Sequence, residues 1–450
     1  MEIIFFIIGI FFVFFPFIIK SKKENFVDYF ILFCLFFDLV NVFVQPENIS
    51  FVFSQDLIVL IYTFYYFFSY YSSISKITRN VFYFTILFIM INLFFPLLYG
   101  DSFKSSFINT TQIVTSFSIL PIAFHHYATK GDIINLIKKV WTFILILIIG
   151  ILFFTLFEID SNYVTASGDL FSSVASEGGL LYFGNFDIRG GFTYISFLVL
   201  LFPLFFILKI KNKFKILITL SFLILLMILS FKRMAILIVF IGIIIWFLSG
   251  YLRTSKKIKI VFTSAVLVFL SFIIFELDQK IMQRINIRGG NSAIGTEAVK
   301  SDIRFFEFFY IYANSNFNQK ILGTNSTNEI IISNDSNNNI EWTVHNQYAQ
   351  YLLKIGLIGI INYFIVLFYI FKYTRKSYNI ISSNNLHLKY NQALWITFKT
   401  LMITFILAGI IGGLDKVTIR GIVFIFLGAI AGHFYKNANF LNNKLMKKSS

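Results

Sequence analysis

The chain has 450 residues, of which 57% are hydrophobic and 20% aromatic, with 62 Phe. A soluble domain cannot hide that much apolar surface, whereas lipid solvates it, so composition excludes an ordinary water-soluble enzyme. The formal charge is +16, but the basic residues fall in short loops between apolar runs, the pattern of cytoplasmic loops rather than of a nucleic-acid surface.

Cys34 is the sole cysteine, which excludes a disulfide framework and a cysteine-based metal site. Runs of about 20 apolar residues recur along the chain, each long enough to cross a bilayer as a helix. The N-terminus, Met1-Glu2-Ile3, lacks a basic n-region and a small-residue cleavage site, so the first run reads as a retained span, Ile3 to Ile19. Lys20, Lys22 and Lys23 follow, then Phe26 to Val44, a polar break at Gln45-Pro46-Glu47, Leu57 to Tyr71, Lys76 and Arg79. The fourth run is Val81 to Tyr99, the fifth Phe107 to Tyr127 and the sixth Val140 to Phe157. Residues 158–191 form a polar loop, after which come Phe192 to Leu208, a run ending at Ser230, Met234 to Tyr251 and a tenth run ending near Glu276. A second long polar segment reaches Gln350, and three runs close the chain: Tyr351–Ile370, Ala393–Ile411 and Gly421–Tyr435.

Alternating these runs across a membrane collects most Lys and Arg on one side, with only Glu24 and Asp132 as acids there. The positive-inside rule makes that side cytoplasmic. The predicted fold is an all-α polytopic membrane protein with about 12–13 transmembrane helices and two large extracytoplasmic loops. Its regions are spans in 1–157, an outer loop at 158–191, spans in 192–276, a second outer loop at 277–350, spans in 351–435 and a cytoplasmic tail at 436–450. The middle of the second loop, Asn325 to Asn339, reads as a mobile cover or an acceptor-facing loop.

No nucleotide-binding loop is recognisable, and no His/Cys/carboxylate cluster has metal-ligand spacing, so no metal or cofactor is expected. His125-His126 are adjacent on a helix and diverge by about 100°, which favours a structural role. The remaining candidates are cations at the outer mouths of the spans: Arg189 before the seventh run, Arg233 opening the ninth, and Arg304. Lys300, Arg304 and Glu307 share one helical face against aromatic neighbours, which predicts an amphipathic helix on the membrane surface. Each cation also suits a plainer role, Arg189 and Arg233 by snorkelling to headgroups and Arg304 as an i,i+3 partner of Glu307. His345, ahead of the eleventh run, reads either as a neighbour of a helix cap or as a base, since its reference pKa is about 6.5. Together the arginines suit an anionic ligand, because guanidinium forks hold phosphate oxygens in pairs.

The segment Val344-His345-Asn346-Gln347-Tyr348, followed by Leu352 through Gly356-Leu357-Ile358-Gly359, resembles the closing signature of the O-antigen ligase and polymerase superfamily. Arg189-Gly190-Gly191-Phe192, Ser230-Phe231-Lys232-Arg233 and Arg304 through Leu322-Gly323 resemble further motifs of that family, in order. The match covers roughly residues 185–365. Lys354 departs from it by standing where an acid is common, and the Ser-Arg pair is interrupted by Phe231-Lys232.

The resemblance implies a metal-independent glycosyltransferase of the bacterial plasma (inner) membrane that works at the outer leaflet on a glycan carried by undecaprenyl diphosphate. It implies His345 as the base and Arg189, Arg233 and Arg304 as diphosphate ligands, with Asn346 and Lys232 in support. A polymerase of surface polysaccharide (O-antigen, capsule or exopolysaccharide) is the first expectation. A ligase delivering finished polymer to lipid A core or protein is the second, and a flippase or transporter the third. The expected partners are the lipid-linked oligosaccharide, the bilayer and a chain-length regulator protein.

Overall fold

The computed structural model describes residues 27, 30–31, 34, 49–71, 74–99, 117–156, 191–206, 213–229, 233–249, 307–323, 329–333, 339–344, 346–384, 388–411 and 417–449. The first and tenth predicted spans and the loop 158–190 lie outside these residues, as do all of residues 250–306. The described chain is predominantly helical: α1 (Ile49–Tyr70), α2 (Lys76–Phe94), α3 (117–129), α4 (Ile133–Leu156), α5 (Gly191–Val199), α6 (Phe202–Phe205), α7 (Lys213–Leu229) and α8 (Arg233–Leu248). After them come α9 (Glu307–Asn314), α10 (Phe317–Leu322), the strands β1 (Glu329–Ser333) and β2 (Asn339–Thr343), α11 (Gln347–Ser383), α12 (Leu388–Ile411) and α13 (Val417–Ser449). Among the described residues, Lys76–Leu98, Gln347–Ser383, Lys389–Ile410 and Gly421–Asn443 are helical stretches long and apolar enough to cross a bilayer. The chain is a helical membrane protein.

Lipid tails are as apolar as leucine, so burial alone does not hold such helices together; close packing and interhelical hydrogen bonds do. At the centre is α13, buried throughout residues 421–432. Gly428 and Gly432 lie one turn apart and let its backbone approach α3: a Cβ on Gly428 would collide with the Leu120 carbonyl, and one on Gly432 with the Phe124 carbonyl. Phe117, on α3, packs edge-on against Phe424. Polar groups supply the remaining ties. Thr63 donates to Ser118 at 3.0 Å, joining α1 to α3, and Asn362 donates to the Phe84 carbonyl at 3.2 Å, joining α11 to α2.

Side-chain hydrogen bonds also tie the helices near their ends. Tyr66 Oη lies 2.7 Å from His125 Nδ1, and Asn80 donates to Tyr369 Oη at 3.0 Å. His433 Nε2 and Asn437 Nδ2 are 2.9 Å apart. These contacts gather at one end of the bundle, the end that carries Lys76, Arg79, Lys372 and Lys376, and His125 and His126 are both buried within it. His387 lies outside the described residues.

Several elements differ from their sequence expectations. The seventh run is two helices, because Pro203 lacks an N–H and opens a new helix at Phe202. The eleventh is longer than Tyr351–Ile370 and breaks at Gly356, whose φ of 59° is open to glycine at little cost. The segment after Tyr435 is not a separate tail but the continuation of α13. The Asn/Ser-rich middle of the second polar loop contains a hairpin, in which Ile330, Ile331 and Ile332 stand opposite Trp342, Glu341 and Ile340. β-Branched and aromatic residues favour a pleated strand even in a polar neighbourhood.

Gly432→Leu should leave no monodisperse protein after detergent extraction, and Gly432→Ala should cost about 1–3 kcal/mol as an overpacked contact with a backbone that cannot give way. A thermal midpoint for Gly432→Ala equal to that of the unaltered protein would show that α3 and α13 are not so closely packed.

Candidate functional site

Among the candidate residues, Asn346 lies where the second polar segment meets the start of α11. Asn346 is the residue on which the elements there converge. As the N-cap of α11, it accepts through Oδ1 from the amides of Tyr348 (2.9 Å) and Ala349 (3.1 Å), which satisfies two of the donors a helix start leaves open. Its Nδ2 donates to the Ile410 carbonyl at 2.7 Å, so the same amide also caps the end of α12. Its backbone N–H donates to Glu307 Oε2 at 2.6 Å, a short charge-assisted bond to the first residue of α9. Asn346 is 2% exposed and Glu307 1%.

Neighbouring polar groups extend this junction. Gln350 Nε2 donates to the Val344 carbonyl at 2.8 Å, Gln347 Nε2 to Tyr351 Oη at 2.9 Å, and Tyr348 Oη to the Ile406 carbonyl at 2.7 Å. Gln347, Gln350 and Lys354 follow one another at helical spacing on one face, and all three are buried. The Oε1 atoms of Gln347 and Gln350 are buried and find no donor among the described residues. In an apolar setting such acceptors are costly, and they are suited to hold the hydroxyl or amide donors of a bound molecule.

Two glycines lock the polar segment onto this part of α11. Gly323 (φ 95°) ends α10, and a Cβ there would lie 2.6 Å from the Leu353 carbonyl oxygen. Gly356 faces it from the break in α11, where a Cβ would collide with the Ile321 carbonyl. The glycines of Leu322-Gly323 and Lys354-Ile355-Gly356, far apart in sequence, are thus two sides of one backbone contact. Start and stop signals confine α10 between them: Asn316 and Gln319 form a reciprocal capping box before it. On the outward side of α9 and α10, Phe309 is 68% and Phe317 77% exposed, and Lys320 Nζ sits 4.5 Å above the Tyr312 ring. Aromatic residues turned outward beside a cation suit a bilayer interface.

Of the three residues expected to share one helical face, Glu307 is described, while Lys300 and Arg304 lie outside the described residues. Glu307 is not an exposed partner on a charged face; it is buried against Asn346 while the aromatic residues face out.

Of the candidate residues, Asn346 is fully described and Arg233 is described only as the first residue of α8. Arg189, Lys232, Arg304 and His345 lie outside the described residues. The two residues flanking His345 are held, however, Val344 through its carbonyl by Gln350 and Asn346 through its N–H by Glu307. Sequence reading missed Glu307, Gln347 and Gln350 as parts of the junction. The available signal was the i, i+3, i+7 spacing of Gln347, Gln350 and Lys354 at the start of an apolar run.

Fold and junction together define a helical membrane protein with a buried polar joint at the mouth of one span. Neither a protein-family model nor a curated protein sequence matches the chain.

Asn346→Ala should destabilise the protein by about 2–4 kcal/mol, since it removes an N-cap and leaves the Ile410 carbonyl without its buried donor. Asn346→Asp keeps the cap but turns a carboxylate oxygen towards that carbonyl, so its thermal midpoint in detergent should fall as well. A midpoint unchanged in both variants would remove Asn346 from its role as a joint.

Proposed function

We propose that the protein is a polymerase of bacterial surface polysaccharide, transferring glycan from undecaprenyl diphosphate to the sugar hydroxyl of another lipid-linked repeat unit at the outer leaflet of the plasma membrane. The observation that carries this reading is the double anchoring of positions 344 and 346, on either side of His345. A general base needs fixed footing near the mouth where substrate arrives, and anchored positions on both sides of His345 support that role for it.

In this proposal the acceptor oxygen attacks the anomeric carbon while its proton passes to the imidazole of His345. The bond between that carbon and the diphosphate oxygen breaks, and undecaprenyl diphosphate departs with the electron pair. Arg189, Arg233 and Arg304 neutralise the charge that develops on it, with Lys232 in support. Electrostatic stabilisation of this leaving group requires no metal. The apolar aromatic helices accommodate the prenyl chain, and the charge asymmetry of the loops supports an extracytoplasmic position for this end of the bundle.

His345→Ala and Arg233→Ala should each abolish long-chain glycan while leaving the protein in the membrane; ladders of normal length in both would remove these residues from the reaction. Arg→Lys at Arg189, Arg233 or Arg304 should also impair it, because a point charge lacks the guanidinium fork. Deletion separates the polymerase and ligase readings: a single repeat unit on the cell-surface anchor indicates a lost polymerase, and polymer stranded on the undecaprenyl carrier indicates a lost ligase.

A further inference from the structure

The outward stripe of α11 changes character within one turn. Ile361 (56% exposed), Ile365 and Phe368 (66%) are apolar, and the next exposed positions on that stripe are Lys372, Arg375 and Lys376. The antiparallel helix α12 does the same in reverse: Ile403 and Leu407 are exposed, and one turn nearer its N-terminus stands Lys399. Ring contacts put the two changes at one height. Phe371 lies 5.8 Å from Trp395 and 6.4 Å from Phe398, and Tyr378 stacks on Trp395 at 5.1 Å. Trp and Tyr concentrate at the headgroup level of a bilayer, so an aromatic band coinciding with both changes marks the membrane boundary. Below it, residues 372–383 continue as about 18 Å of helix, beyond the hydrocarbon.

Lys399 therefore belongs to the boundary rather than to the membrane interior, where the sequence put it. Its Nζ lies over the Trp395 ring at 5.4 Å, and Arg375 is close enough that its charge acts on the ammonium. Like charges on neighbouring helices repel one another, and among the described residues no carboxylate is paired with Lys372, Arg375 or Lys399. A cationic pair of this kind at headgroup height is completed by an anion from the bilayer.

We propose that Lys372, Arg375 and Lys399 form a binding site for the phosphate of an anionic phospholipid in the leaflet facing the basic loops, its acyl chains lying along Ile365 and Phe368. The site tethers the α11–α12 pair at the end opposite the Asn346 junction, and it stands independently of the catalytic reading.

Trp395 is its natural reporter. The full chain carrying Trp141→Phe, Trp246→Phe and Trp342→Phe, reconstituted in mixed vesicles, should be quenched by brominated phosphatidylglycerol at a mole fraction on the order of tenfold lower than by brominated phosphatidylcholine. Arg375→Gln/Lys399→Gln should abolish the preference while the protein remains monodisperse, and Lys389→Gln, at an exposed lysine of the same end, should retain it. Equal quenching by the two lipids, a preference that survives the double substitution, or equal loss in Lys389→Gln would overturn the proposal. Excess inorganic phosphate should leave the quenching unchanged; displacement by it would overturn the assignment to a lipid.

Discussion

The arrangement of α9, α11 and α12 depends on one buried side chain, that of Asn346. A helix start and a helix end both leave backbone groups open, and in apolar surroundings each open group costs several kcal/mol because water cannot reach it. Asn346 answers both ends at once, its oxygen serving the start of α11 and its nitrogen the end of α12, while its backbone N–H engages the carboxylate of Glu307. An aspartate lacks the donor and a serine lacks the reach to do both. Fixing this residue fixes the entry of the polar segment into the membrane, and the contact between Gly323 and the break at Gly356 holds the same segment a few residues further on.

The rest of the bundle follows the rule for helices in lipid, where fit and hydrogen bonding replace hydrophobic driving force. Gly428 and Gly432 bring α13 against α3 at backbone distance. Rings fill the wider spaces: Tyr363 meets both Phe88 and Tyr351, and Phe117 stacks on Tyr363. The two ends of the bundle are finished differently. One is a knot of amides and a carboxylate beside His345, suited to a polar reactant; the other is an aromatic band with cations at the boundary.

Much of this order is visible in the residues themselves. Apolar runs placed α2, α11, α12 and α13 along the chain, because a span must be long and apolar wherever it lies, but they did not show that α11 and α13 continue past their apolar stretches to Ser383 and Ser449. The breaks were hidden. Gly356 sits among Leu and Ile in a stretch that reads as continuous, and glycine is tolerated within membrane helices, so only its contact with Ile321 reveals why the helix opens there. The contact of Glu307 with Asn346 was hidden for a related reason: three-residue spacing describes one helix, whereas Asn346 is on another element. The motif His345-Asn346 was legible as a pair, but the place of Asn346 as a buried cap between two helices was not, since nothing in a sequence says that a polar residue at a span mouth is turned inward. The acceptors of Gln347 and Gln350 escaped notice because glutamine at the start of a span also reads as an ordinary membrane edge.

Hydrogen–deuterium exchange of the unaltered protein and Asn346→Ala tests the joint most directly. If Asn346 ties the three elements, its removal should accelerate exchange together in the start of α11 (residues 346–350), in α9 around Glu307 and in the last turn of α12 near Ile410. Acceleration confined to residues 346–350, with α9 and α12 unchanged, would show a local helix cap and no joint.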